Sequence, residues 1–115
     1  MDEKFEALQT ADEYLDKLKN GINKAINLIE EGNESRGCNY IADIAEGIDW
    51  VVKVVILTSD IQKEKIDYNS INEKLSEVVE ALENEDYILL GDLFKYEILP
   101  LLDTIHKQIK VCVLN

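Results

Sequence analysis

Proline, histidine, tryptophan and cysteine are all scarce in this chain: Pro100, His106 and Trp50 are each the sole residue of their kind, and Cys38 and Cys112 are the only cysteines among 115 residues. Two cysteines without a CxxC supply neither a disulfide framework nor metal-ligand spacing. They read as two small, partly buried thiols, which suits a reducing cytoplasm. A single histidine excludes a ferritin-like di-iron centre in a monomer, because that site needs two carboxylate–histidine pairs. Asp103 and His106 have the spacing of one such pair, and on a helical wheel His106 falls toward solvent. Basic residues are also few, 12 against 24 acidic, for a formal net charge of −12. Nucleic acid and anionic membrane surfaces both require Lys and Arg in excess, so neither is an expected partner. No long hydrophobic run is present. Val51 to Leu57 is interrupted by Lys53 and is too short to span a bilayer. The opening Met1-Asp2-Glu3-Lys4 lacks the basic start and apolar stretch of a secretory signal, so the expected compartment is the cytoplasm.

What the chain does have is helical periodicity. Hydrophobic residues make up 46% of it, enough to bury a core, and its length suits a single domain over 1–115. From about Asp2 to Glu31, Leu8, Ala11, Leu15, Leu18, Ile22, Ala25, Ile26 and Ile29 recur at three and four, the stripe of an amphipathic helix. Gly32 follows as a left-handed cap. A second helix over about Ser35 to Thr58 carries Ile41, Ile44, Ala45, Ile48, Val51, Val52 and Val55, with Gly47 read as a point of close helix approach. Ser59 to Asn69 reads as a loop. The third helix starts near Ser70, with Ser70 and Glu73 at capping-box spacing, and carries Ile71, Leu75, Val78, Val79 and Leu82. Asn84-Glu85-Asp86 reads as a turn in which Asp86 caps a fourth helix, Tyr87 to Val113, with a stripe of Tyr87, Leu90, Phe94, Ile98, Leu101, Ile105 and Ile109. Pro100 should kink or break that helix. The expected fold is all-α, an antiparallel up-down-up-down four-helix bundle, with Cys38 and Cys112 at opposite ends and Leu82 and Phe94 deep in the core.

Two helices carry apolar residues outside these stripes. Trp50, Val54 and Leu57 do so in the second helix, and Leu89, Leu93 and Tyr96, followed by Pro100, in the fourth. A helix apolar all round is often simply buried. An exposed apolar patch instead marks a partner surface, and Trp and Tyr are favoured anchors there. Trp50, Val54, Leu57, Leu89, Leu93 and Tyr96 are therefore the expected partner-binding residues. The occupant is either another protein or a second copy of the chain as a homodimer, docked helix-in-groove. No GxSxG, phosphate-cradling loop or Cys–His pair is present, so no catalytic residue, metal ligand or cofactor is assigned. The alternative is a carboxylate-based small-molecule or metal site, or an enzyme, around Asp49, Asp92 and Glu97. Asp43 and Glu46 belong with these acids beside the apolar stripes, although a solvated helix face explains such acids more simply. Lys53 stands four after Asp49 and can pair with it.

The runs Gly47-Ile48-Asp49-Trp50, Ala81-Leu82-Glu83-Asn84-Glu85-Asp86-Tyr87 and Leu90-Gly91-Asp92-Leu93-Phe94-Lys95-Tyr96-Glu97-Ile98-Leu99-Pro100 resemble an uncharacterised family of small acidic helical proteins of clostridia and bacilli. The likeness covers the last two thirds of the chain and implies a helical fold and no known activity. In size, acidity and helical pattern the chain more loosely resembles the chaperones of flagellar and type III export systems, which shield an amphipathic segment of a client. That likeness is one of format and implies no residue roles.

Overall fold

A computed structural model describes residues 2–114. Helix α1 (Glu3–Glu30) runs antiparallel to α2 (Glu34–Leu57), and a single 3-10 turn (Ser59–Ile61) begins the crossing to α3 (Asn69–Glu83). The last rod, residues 87–113, is continuous: α4 (Tyr87–Leu93), a π-helical turn (Phe94–Ile98) and α5 (Leu99–Val113). These four rods form an all-α bundle of 46 × 22 × 19 Å. Helix α1 packs against both α2 and the fourth rod, while α3 packs against the fourth rod.

The helix ends follow from local chemistry. Asp2 caps α1 by accepting the Lys4 amide at 2.9 Å, and Glu3 and Glu6 lie in the first turn, where the helix dipole favours acid. Gly32 ends it with φ +83°. The Asn33 amide donates to Leu28 O and the Gly32 amide to Ile29 O, the paired bonds of a Schellman ending. The same ending closes α3, with Asp86 donating to Ala81 O and Glu85 to Leu82 O, but here a glutamate occupies the left-handed position at φ 52°. Asp86 then caps the fourth rod by accepting the Leu89 amide at 3.1 Å, as its position in the turn predicts. The capping box at Ser70 does not form. Asp67 is the acceptor instead, taking the Asn69 amide at 2.9 Å and the Ser70 hydroxyl at 2.8 Å.

The expected stripe of α1 is buried throughout. That of α2 is buried except at Ala45, which is partly covered. On α3 only Ile71 and Val78 of the expected stripe are buried; Ala81 joins them, Leu75 and Leu82 are half-buried, and Val79 is exposed. Leu82 is thus not deep core, whereas Phe94 is. The loop is better anchored than a plain connection. Ile66 is buried in the main core, and the Gln62 amide nitrogen donates to Val55 O at 2.7 Å while its oxygen accepts the Ile66 amide.

The irregularity expected at Pro100 takes the form of a π turn, not a break. Proline has no amide to give the carbonyl four residues back, and its ring crowds that carbonyl. The turn just before it closes five residues back, Leu99 amide to Phe94 O, and so accommodates one extra residue. One residue is worth about 100° of helix rotation. Beyond the turn, Leu102 is therefore buried while Leu101, placed inside by an uninterrupted wheel, is half-buried. The same rotation brings His106 inward.

Candidate functional site

The six expected partner-binding residues divide. Trp50 (37% exposed), Leu57, Leu89 and Tyr96 (65% exposed) stay accessible, but Val54 (5%) and Leu93 (2%) are buried. Each exception has a physical cause. Val54 lies seven residues after Gly47, two turns along the edge of α2 that approaches α1. Leu93 lines a groove with Ala81, Glu77 and Glu80, so α3 covers the side of the fourth rod that the wheel leaves to water. Lys74 of α3 holds that seam, bridging Glu77 and Glu97 at 2.9 Å each. The two carboxylates raise the Lys74 ammonium pKa, Glu97 contributing most.

Trp50 belongs to a more organised place. Helix α2 approaches α1 at two glycines. A side chain at Gly37 would meet Ile29 Cγ1 at 2.7 Å and Ala25 O at 3.3 Å. One at Gly47 would collide with the Tyr14 hydroxyl and reach Leu18 Cδ1 at 3.0 Å. The bare backbone at Gly47 is thus what lets Tyr14 lie against α2. Its ring meets Trp50 edge to face, with centroids 5.4 Å apart and planes at 85°. Such perpendicular pairs are favoured by the ring quadrupoles. Around this corner runs an open groove of about 400 Å³, lined by Thr10 and Tyr14 from α1 and by Asp43, Glu46, Gly47 and Trp50 from α2. Residues 43, 47 and 50 and residues 46 and 50 stand three and four apart, so they share one flank of α2.

Tyr14 was not legible as a partner for Trp50. It sits among acids on the edge of the α1 stripe, and only helix pairing joins residues 36 positions apart. The one available signal was Gly47 a turn before Trp50, a gap of the size an aromatic ring fills.

The other acids are spoken for or scattered. Asp49 accepts from Lys53 at 2.9 Å, the spacing of four that the sequence offers. Glu97 is taken by Lys74, and Asp92 lies at one end of the bundle beside a cavity of about 330 Å³ with Glu30, Glu34, Tyr87 and Lys95. Among the described residues, no three His, Cys, Asp or Glu side chains are grouped to hold a metal ion. Cys38 and Cys112 are both free, the first near Glu34 and the second in a cavity with Phe5 and Ile61 at the opposite end. Burial, followed by the charge of Glu34, pushes the Cys38 thiol pKa up.

His106 corrects the solvent-facing assignment: it is 3% exposed, with Nε2 2.8 Å from Asp12 Oδ1. The same oxygen lies 3.0 Å from Lys110 Nζ. Burial alone would raise the Asp12 pKa, but hydrogen bonds from Lys110 and His106, with their charges, outweigh it and hold the carboxyl below its ordinary range. An ionised carboxylate only accepts, so Nε2 carries the proton and donates. Asp103, the other half of the expected pair, points elsewhere and binds Lys19 at 2.8 Å.

The architecture is thus that of a small all-α four-helix protein whose most organised surface feature is an aromatic corner in a groove also lined by two acidic side chains. By sequence the chain belongs to the family defined by a domain of unknown function, DUF8042, whose model matches residues 6–108. No curated protein and no solved structure matches it. Among the described residues, no helix is long and apolar enough to cross a membrane.

Proposed function

We propose that this protein is a non-enzymatic protein-interaction module whose docking site is the α1–α2 groove at Tyr14 and Trp50. The observation that carries the reading is the perpendicular ring pair itself, half-open to solvent over a glycine floor. Aromatic rings held by packing lose little entropy on binding and offer large contact area, which is why Trp and Tyr dominate interface energetics. A helical or extended segment laid along the groove would use Trp50 as its anchor and Leu57, two turns on, as a flanking apolar contact. A small cytoplasmic adaptor, or a chaperone that shields one segment of a client, is the format this reading favours.

A second reading, self-association through the outer face of the fourth rod, keeps support from exposed Leu89, Tyr96 and Ile88, and loses Leu93 from its centre. Selection of peptides from a displayed library against the folded protein discriminates the two. Binders to the groove should lose affinity with Trp50→Ala or Tyr14→Ala and ignore Tyr96→Ala, with helical circular dichroism unchanged. Binders indifferent to Trp50→Ala would remove the groove reading. Concentration-dependent sedimentation abolished by Tyr96→Glu would install the second one.

A further inference from the structure

We infer that the groove accepts a cationic side chain, and that its occupant is a basic segment of a partner protein with an arginine lodged at the Tyr14–Trp50 corner of the groove that Asp43 and Glu46 also line. This inference rests on the groove being the docking site, and it adds the chemistry of what docks there. Two aromatic rings at right angles present both π density and an edge, and a cation over the face of Trp or Tyr is held by the ring quadrupole. The groove lining contains two carboxylates and no basic residue. Among the described residues neither Asp43 nor Glu46 is in an ion pair, whereas Asp49 on the same helix is matched to Lys53. The planar guanidinium of arginine suits such a place better than lysine, because it stacks on an aromatic face while its edge donates to carboxylates. At long range, a chain at −12 draws basic segments and repels acidic ones.

The sole tryptophan makes the groove its own reporter, since emission changes arise at Trp50. The probe is an acetylated, amidated peptide carrying three arginines among alanine and leucine, set against the same peptide with citrulline at the three positions. The expected result is a saturable change in Trp50 emission with the arginine peptide, weakened by added salt, with about ten-fold lower affinity for the citrulline peptide. Asp43→Asn with Glu46→Gln should reduce affinity for the arginine peptide about ten-fold, while Glu80→Gln with Glu83→Gln on α3, which removes the same charge away from the groove, should leave it within about two-fold. Equal affinity for the two peptides, equal losses from the two double variants, or no emission change up to about 1 mM peptide would each overturn the inference. A citrulline peptide that binds as well as the arginine peptide and is lost in Tyr14→Ala would overturn the cationic occupant alone and leave the docking groove standing. Library-selected binders that ignore Trp50→Ala would remove both.

Discussion

The bundle is made of two helical hairpins built to different tolerances. In the α1–α2 hairpin, two glycines bring the backbones together and the expected stripe of α1 is buried throughout. In the hairpin of α3 with the fourth rod, α3 is 15 residues long against 28 for α1, and its stripe is half-covered. A lysine bridge holds the seam, and the turn places a glutamate where glycine is the comfortable residue. Close approach is needed where an aromatic corner must be held rigid. The looser hairpin shuts the remaining side of the core, for which partial cover is enough.

The largest contrast should come from core truncations. Phe94→Ala removes a fully buried ring and should cost about 3–5 kcal/mol in denaturant melts, whereas Leu82→Ala, half-exposed, should cost about 1 kcal/mol. Equal costs would mean that α3 is as tightly seated as α1.

The polar tie between α1 and α5 comes next. His106→Ala leaves Asp12 with Lys110 alone and should cost about 2 kcal/mol. Asp12 also makes a pH prediction with a definite sign. Its carboxyl pKa is depressed in the folded protein, so its contribution is fully present above the ordinary carboxylate pKa of about 3.9 and disappears as pH falls through the lower native value. The stability difference between the wild type and Asp12→Asn should therefore shrink as urea melts are repeated from about pH 5 to below 3. A gap that stays constant over that range would remove the ion pair as its cause.

Two alanine substitutions test the tolerances directly. Gly37→Ala must displace Ile29 and sits against the Ala25 carbonyl, so the overpacking cost of about 1–3 kcal/mol exceeds the roughly 1 kcal/mol gained in helix propensity. At Gly91 an added methyl meets no packing neighbour within 4 Å among the described residues, so Gly91→Ala should stabilise by up to about 1 kcal/mol. The comparison between hairpins fails if both changes have the same sign. The smallest effect is at the turn, where Glu85→Gly removes left-handed strain and should raise stability by about 0.5–1 kcal/mol, less the added freedom of the unfolded chain.

The four rods, their order and most of the core were legible because the stripes of α1 and α2 run without interruption and packing follows period. The failures share one cause: each needed to know what lies opposite. Val79 and Leu82 carry the right spacing, but a short helix seated mainly on the fourth rod buries a narrower face. Leu93 looks outward until α3 is laid along it. Leu101 and His106 were misassigned because a wheel assumes one rotation per residue, and the π turn resets it. Asp12, at the edge of the α1 stripe four after Leu8 and three before Leu15, was the available sign that an acid there needs a partner, yet that partner lies 94 residues away. At the candidate site Trp50 stood out by composition and position, while the groove around it exists only once two helices meet.

The π turn also has a meaning in the language of insertion and deletion. A turn that holds one residue too many is a place where the chain can lose one without shortening its list of helices. Removing a residue within Phe94–Ile98 would restore ordinary winding and leave α5 in its present phase, because the lost residue and the lost π turn cancel. Leu102 would still face the core, and His106 would still meet Asp12. Ordinary winding with the residue count unchanged is what would turn α5 about its axis, bringing Leu101 inward and His106 away. The fourth rod is therefore one object in length and two in phase. The face that α5 shows to α1 is set by the winding between Leu93 and Leu99 as much as by the residues on that face.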